Sequence, residues 1–326
     1  MIDLHLHLDG SLTTEEILFL AKEQKIELPA NNLAELRSLL VALENCKNLN
    51  EYLKRFDIPL QVLQTKIAIE YAVESLLVRL YQEKIKYAEI RFAPQLHMQK
   101  GLSQKEIVRA AISGMKKAQA MLANEISAQL ILCLMRGKGN EAENEETLKV
   151  AKYFLHAGVC AVDLAGAEAL YPTAGYRNVF RQAQDMELPF TIHAGEADGA
   201  ESIKNAIAFG AARIGHGVRA VEDDELMKIL AETKIPLELC PTSNIQTRIF
   251  TDLREYPIRK FLERGICATI NTDNKTVSDT SIREEFEKLK LAVNLTREEE
   301  ITLLKNAVQA SFLDAAAQER LIEFIK

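Results

Sequence analysis

From residue 65 onward the hydrophobic positions fall into two alternating patterns. Apolar residues three and four apart predict a helix over residues 65–83, and Tyr87-Ala88-Glu89-Ile90-Arg91-Phe92 reads as a strand. Ser103 with Glu106 three places on is a capping box, which opens a helix reaching about residue 123. Strands then follow at 126–135, 159–164, 189–193, 213–215, 236–239 and 266–270. Helices are predicted between them, at 141–158, 176–187, 201–210, 222–233 and 257–264, and from 281 to the end. With Ile2–Leu6 this makes eight short strands, most without polar alternation, as parallel strands covered on both sides require.

Eight such strands separated by helices predict a (β/α)8 TIM-type barrel. The alternative, an open doubly wound sheet, lacks its glycine-rich fingerprint after the first strand. No repeat or Pro/Gly/Ser linker interrupts the 326 residues, so residues 1–326 are expected to form one domain. The exception to the alternation is 11–64, which carries helical patterns at 13–23, 33–43 and 50–56 but no strand. A helical excursion after the first strand leaves from the end of the barrel where active sites lie. It is expected to act as a lid, with Phe56, Ile58 and Leu60 as its apolar lining.

Charge removes several functions from consideration. Lys and Arg total 40 against 47 Asp and Glu, a net charge of −7, which offers nucleic acid or an anionic membrane no attraction. No apolar run is long enough to span a bilayer, and the start lacks the basic flank and apolar core of a secretion leader. Five scattered cysteines, never in a C-x-x-C pair, point to reduced thiols and a cytoplasmic location.

The chemistry lies at the strand ends. His5 and His7 follow the first strand, Asp163 the fourth, His193 and Glu196 the fifth. His216 follows the sixth, Ser243 and Asn244 the seventh, Asp273 and Asn274 the eighth. A barrel brings all these ends to one mouth. His5 and His7, two apart on a strand, share a face. With His193 and Asp273 they supply three imidazoles and a carboxylate, a donor set for one Zn²⁺ or a similar divalent transition metal. Glu196 is a carboxyl beside that set, free either for proton transfer or to sit at a helix N-terminus. His216, between Gly215 and Gly217, reads as a site residue or as a core histidine.

Together these residues resemble the adenosine deaminase family of metal-dependent amidohydrolase barrels. The matching segments are His5-Leu6-His7-Leu8-Asp9-Gly10, Asp163-Leu164-Ala165-Gly166, His193-Ala194-Gly195-Glu196, Arg213-Ile214-Gly215-His216-Gly217, Glu238-Leu239-Cys240-Pro241-Thr242-Ser243-Asn244 and Asn271-Thr272-Asp273. The resemblance implies hydrolytic deamination of a 6-aminopurine nucleoside, adenosine or 2′-deoxyadenosine, by a metal-activated water. It implies His5, His7, His193 and Asp273 as metal ligands, Glu196 as proton shuttle, and His216 with Asp273 beside the attacking water. It also implies contacts from Gly166 to purine N3 and from Asp9 to the ribose 5′-hydroxyl. Three positions depart from the family pattern: Asn274 for a second aspartate, Lys275 for proline, and Ala167 for an acidic residue. A neutral amide at Asn274 can donate to purine N7 without the proton an aspartate would need.

Competing readings are a deaminase of adenine or of a modified adenosine, a binuclear amidohydrolase, and a catalytically silent purine-binding protein. Barrels of the binuclear type resemble one another in carrying a lysine after the fourth strand to bridge two metals; here that strand ends Val162-Asp163-Leu164-Ala165-Gly166, without a lysine, which favours one metal.

Overall fold

The computed structural model describes residues 1–30, 32–42 and 46–325. Its strands are β1 (Ile2–His7), β2 (Tyr87–Phe92), β3 (Ser127–Met135), β4 (Val159–Ala165), β5 (Thr191–Ala194), β6 (Arg213–His216), β7 (Leu237–Leu239) and β8 (Ala268–Ile270). All pair in parallel, in sequence order, as two four-stranded runs. The two runs meet through single bridges, Val162 to Phe190 at one seam and Leu6 to Asp273 at the other. The architecture is a (β/α)8 barrel whose ladder thins to one bridge at each seam. Each of the eight strands expected from the apolar runs is present.

The helices form where their caps and apolar faces place them. Helix Lys66–Gln82 starts at Thr65, whose side chain accepts from the Ala68 N–H, and it buries Ala68, Ile69, Ala72, Val73, Leu76, Leu77 and Leu80 against the strands. Helix Gln104–Met121 opens with the capping box of Ser103 and Glu106. The helix expected over 141–158 stops at Phe154, because the chain turns there and His156 takes a φ of +61° before β4. The helix expected at 33–43 runs over Leu33–Leu40; residue 43 lies outside the described residues.

Inside the barrel the short strands carry more charge than their apolar pattern conveys. Arg213 pairs with Glu89 at 2.5 Å and Glu238 at 2.6 Å, and Arg91 pairs with Asp163 and Glu238, each at 2.9 Å. Each of these side chains is essentially excluded from solvent. Removing one partner would strand a buried charge, a change that costs about 3–5 kcal/mol. This lattice forms the floor beneath the strand ends.

The excursion after β1 folds as helices Thr14–Gln24, Leu33–Leu40, Leu49–Leu53 and Asp57–Val62. Leu49, Tyr52, Leu53, Phe56 and Leu60 roof a cavity of about 310 Å³ at the C-terminal ends of the strands. Ile58 does not join them. It packs into the main core beside Val62 and Leu63 instead, since only one face of so short a helix can point at the cavity.

Candidate active site

The seam between β1 and β8 creates the site. The Asp273 N–H donates to the His5 carbonyl at 2.8 Å, and the His7 N–H donates to the Asp273 carbonyl at 2.7 Å. This pair of bonds fixes the Asp273 carboxylate beside both histidines, with Oδ1 3.5 Å from Nε2 of His5 and 3.4 Å from Nε2 of His7. Asp273 and His216 both hold left-handed backbones, with φ of +61° and +59°. That conformation costs a non-glycine residue about 1–2 kcal/mol and is maintained here by the surrounding bonds.

His193, on β5, presents Nε2 3.2 Å from Nε2 of His7. Its Nδ1 sits 2.8 Å from Oδ2 of Asp163. Nδ1 of His5 likewise faces Oε2 of Glu238 at 2.8 Å, so its Nε2 is turned inward, where it is buried and makes no hydrogen bond. A carboxylate behind an imidazole holds the ring and leaves the opposite nitrogen as a lone-pair donor. Burial keeps His7 and His193 below their usual range and therefore neutral, while Asp273 is held well below the carboxylate range, the neighbouring histidines outweighing its burial. Neutral imidazoles and an ionised carboxylate are the states that bind a metal. Donor atoms 3.2–3.5 Å apart match the spacing of about 3.3–3.5 Å across a tetrahedron with bonds near 2.0–2.2 Å. The residues present therefore fit a resident divalent ion.

His5, His193, His216 and Asp273 form a tight cluster of possible donors, all within 4.8 Å of one another. Hydrogen bonding separates His216 from the rest. The Asn244 amide nitrogen lies 3.0 Å from its Nδ1, and an amide nitrogen can only donate. Tyr256 orients that amide by donating to its oxygen at 3.0 Å. Nδ1 of His216 therefore accepts, and burial holds the ring neutral, so the hydrogen is on Nε2. An Nε2–H is no metal ligand. It points instead toward Oε2 of Glu196, 3.6 Å away.

Glu196 is buried, and that burial, with Asp273 and Glu168 adding, raises its carboxyl well above the usual range. Asp9 lines the cavity, and burial raises its carboxyl to about 6. Gly166 lines it too, with a φ of +107° open only to glycine. Asn274 completes the wall, packed so closely on Gly10 that a Cβ there would lie 1.9 Å from its Oδ1. That oxygen is buried without a hydrogen-bond partner. The cavity thus gathers His7, Asp9, Gly166, His193, Glu196, His216, Asp273 and Asn274, with His5 just below them.

The sequence profile of the adenosine deaminase family matches residues 1–326. The chain belongs to the adenosine deaminase family. It is 47% identical over its whole length to an adenosine deaminase of Haemophilus ducreyi, covering 95% of that protein. It is 39% identical to an adenosine deaminase of Enterococcus faecalis, over 96% of this chain and 91% of that one. Among solved structures, the adenine deaminase of Arthrobacter aurescens superposes with a TM-score of 0.90 at 27% identity, over 99% of this chain and 97% of that one.

Several residues that shape this site escaped the sequence reading. Arg91 ties β2 to Asp163 and to Glu238, whose carboxylate faces His5, Tyr52 reaches the mouth from the excursion, and Glu168 lies just beyond β4. A charged residue inside an apolar strand was the available signal for Arg91 and Glu238.

Proposed function

We propose that residues 1–326 form a single catalytic domain that hydrolyses adenosine or 2′-deoxyadenosine to inosine or 2′-deoxyinosine and ammonia, a reaction at a C–N bond of a cyclic amidine. The observation that carries this reading is the buried Glu196, whose carboxyl burial raises well above its usual range, beside His216 and facing a three-histidine, one-carboxylate donor set under an apolar roof.

His5, His7, His193 and Asp273 would hold one Zn²⁺ per chain, which lowers the pKa of water toward about 7 and so supplies a nucleophile at neutral pH. The Nε2–H of His216 orients the attacking water, and the Asp273 carboxylate accepts its proton. Attack at C6 moves an electron pair onto N1, and Glu196 gives N1 its proton. The C6–N6 bond then breaks as Asp273 returns its proton to the departing nitrogen, and the C6 hydroxyl proton passes back to Glu196, leaving the lactam of inosine and ammonia.

Gly166 and Asn274 both line the cavity, which supports a contact from the Gly166 backbone to purine N3 and from Asn274 to N7. Asp9, with a carboxyl near 6, is largely ionised at pH 7 and accepts a ribose 5′-hydroxyl, while repelling a 5′-phosphate. That favours the nucleoside over AMP, and over free adenine, which has no hydroxyl to offer. Among the described residues no helix is long and apolar enough to cross a membrane, and all five cysteines are free thiols, which supports a cytoplasmic location. The test is direct: the purified protein should release one ammonia per inosine formed from adenosine, and a chelator-stripped sample should release none until metal is restored.

A further inference from the structure

We propose that Glu168 is a positioning residue for Glu196, its buried carboxylate gathering the backbone N–H groups of residues 195–198 and fixing the turn from which Glu196 projects. The inference rests on the reading of Glu196 as proton donor.

Oε1 of Glu168 accepts from the Gly195 N–H at 2.7 Å and from the Ser202 hydroxyl at 2.5 Å. Oε2 accepts from the N–H groups of Glu196 at 3.0 Å, Ala197 at 2.6 Å and Asp198 at 3.0 Å. A carboxylate offers about four lone-pair positions, so these contacts use its whole accepting capacity. Glu168 has no capacity left for a ligand, and it does not line the cavity, although Gly166 and Ala167 do. Its partners are what it serves. Successive N–H groups turned to one side form a concave nest that needs an anion at its centre.

The same segment is held from its other end. Arg136, at the end of β3, donates to the His193 carbonyl at 2.6 Å and to the Thr173 hydroxyl at 2.9 Å. Thr173 in turn bonds Ser202 at 2.7 Å, closing a path back to Glu168. His193 and Glu196 thus leave β5 on a segment clamped by a cation before the turn and an anion within it. A shift of this turn would move the Glu196 carboxyl while leaving the cavity walls in place.

Glu168→Gln keeps the size of the side chain but turns an NH₂ toward N–H donors. The expected result is a fall in kcat for adenosine of about 10–100-fold, short of the 10²–10⁴-fold loss from removing a general acid itself. KM should stay within about threefold and metal content should be unchanged, the pattern of a lost transition-state interaction. Amide exchange at residues 195–198 should accelerate, and Glu168→Asp, which keeps the charge, should recover part of kcat. Ser202→Ala, a milder change that removes one of the five bonds to the Glu168 carboxylate, should lower kcat about two- to fivefold. Unchanged exchange at 195–198 in Glu168→Gln overturns the proposal, as does wild-type kcat or a loss that follows metal content. If Glu168→Gln does not fold, unchanged kcat and exchange in Ser202→Ala overturn it. Absence of turnover in the wild-type protein would instead defeat the deaminase reading, and the exchange measurement would still decide the role of Glu168.

Discussion

Nε2 of His216 and Oε2 of Glu196 lie 3.6 Å apart, and burial shifts both groups toward their neutral forms, Glu196 upward and His216 downward. Each therefore presents a hydrogen to the cavity, one for the attacking water and one for the purine ring. Glu196→Gln retains shape and hydrogen bonding but has no acidic proton to transfer. Its kcat should fall about 10²–10⁴-fold with metal content and ligand affinity retained. Steady-state kinetics with elemental analysis checks this, and near-normal kcat would remove Glu196 from its role.

The Asn244 amide occupies Nδ1 of His216 and so sets that ring apart from the proposed ligand His7. His7→Ala should lose the metal and the turnover together. His216→Ala should keep about one metal per chain while losing turnover by about 10²-fold or more. Elemental analysis of the two variants separates the roles, and two ions per wild-type chain would favour a binuclear centre. Stripping the metal should also lower Tm, because an ion that binds only the folded state stabilises it by mass action.

Asn274 meets Gly10 on one side and the Tyr52 phenol on the other. If it reads purine N7, Asn274→Ala and removal of N7 from the substrate delete the same bond. Each should cost about 1–3 kcal/mol, or roughly 5–150-fold in kcat/KM. The cycle of wild type and Asn274→Ala against adenosine and 7-deazaadenosine should therefore be strongly non-additive. Additive losses would place Asn274 outside the substrate contact.

The eight strands and most site residues were legible because parallel strands are short apolar runs and because a barrel collects their ends. The tautomer of His216 was not legible. It depends on Asn244 and Tyr256, which the chain brings together only through the loop after β7. Glu168 was hidden for a similar reason: its partners are backbone N–H groups, which leave no residue-type signature. Ile58 was misplaced because in helix Asp57–Val62 the sequence pattern did not show which side turns to the cavity.

His97 provides a pH-dependent test of the fold away from the metal ligands. It is buried with Nδ1 2.8 Å from the Leu63 carbonyl, and burial lowers its pKa from 6.5 to about 4, the bond to Leu63 opposing. The folded state thus resists protonating a ring that the unfolded chain protonates readily. The stability this contributes is complete above pH 6.5 and is lost as pH falls toward 4. Between pH 7 and 5 the loss is about 2 kcal/mol. His97→Gln, which can still donate to Leu63, should flatten the urea-unfolding profile across that interval. An unchanged slope would mean that His97 does not govern it.

The central claim is that this chain deaminates the nucleoside adenosine. The most direct measurement compares kcat/KM for adenosine, adenine, AMP and N6-methyl-AMP in one metal-replete preparation, following release of ammonia or methylamine. Adenosine should exceed each of the others by at least about tenfold, the effect of one charge-assisted contact at Asp9. A higher value for adenine or for either nucleotide, or tight adenosine binding without ammonia release, would contradict the account.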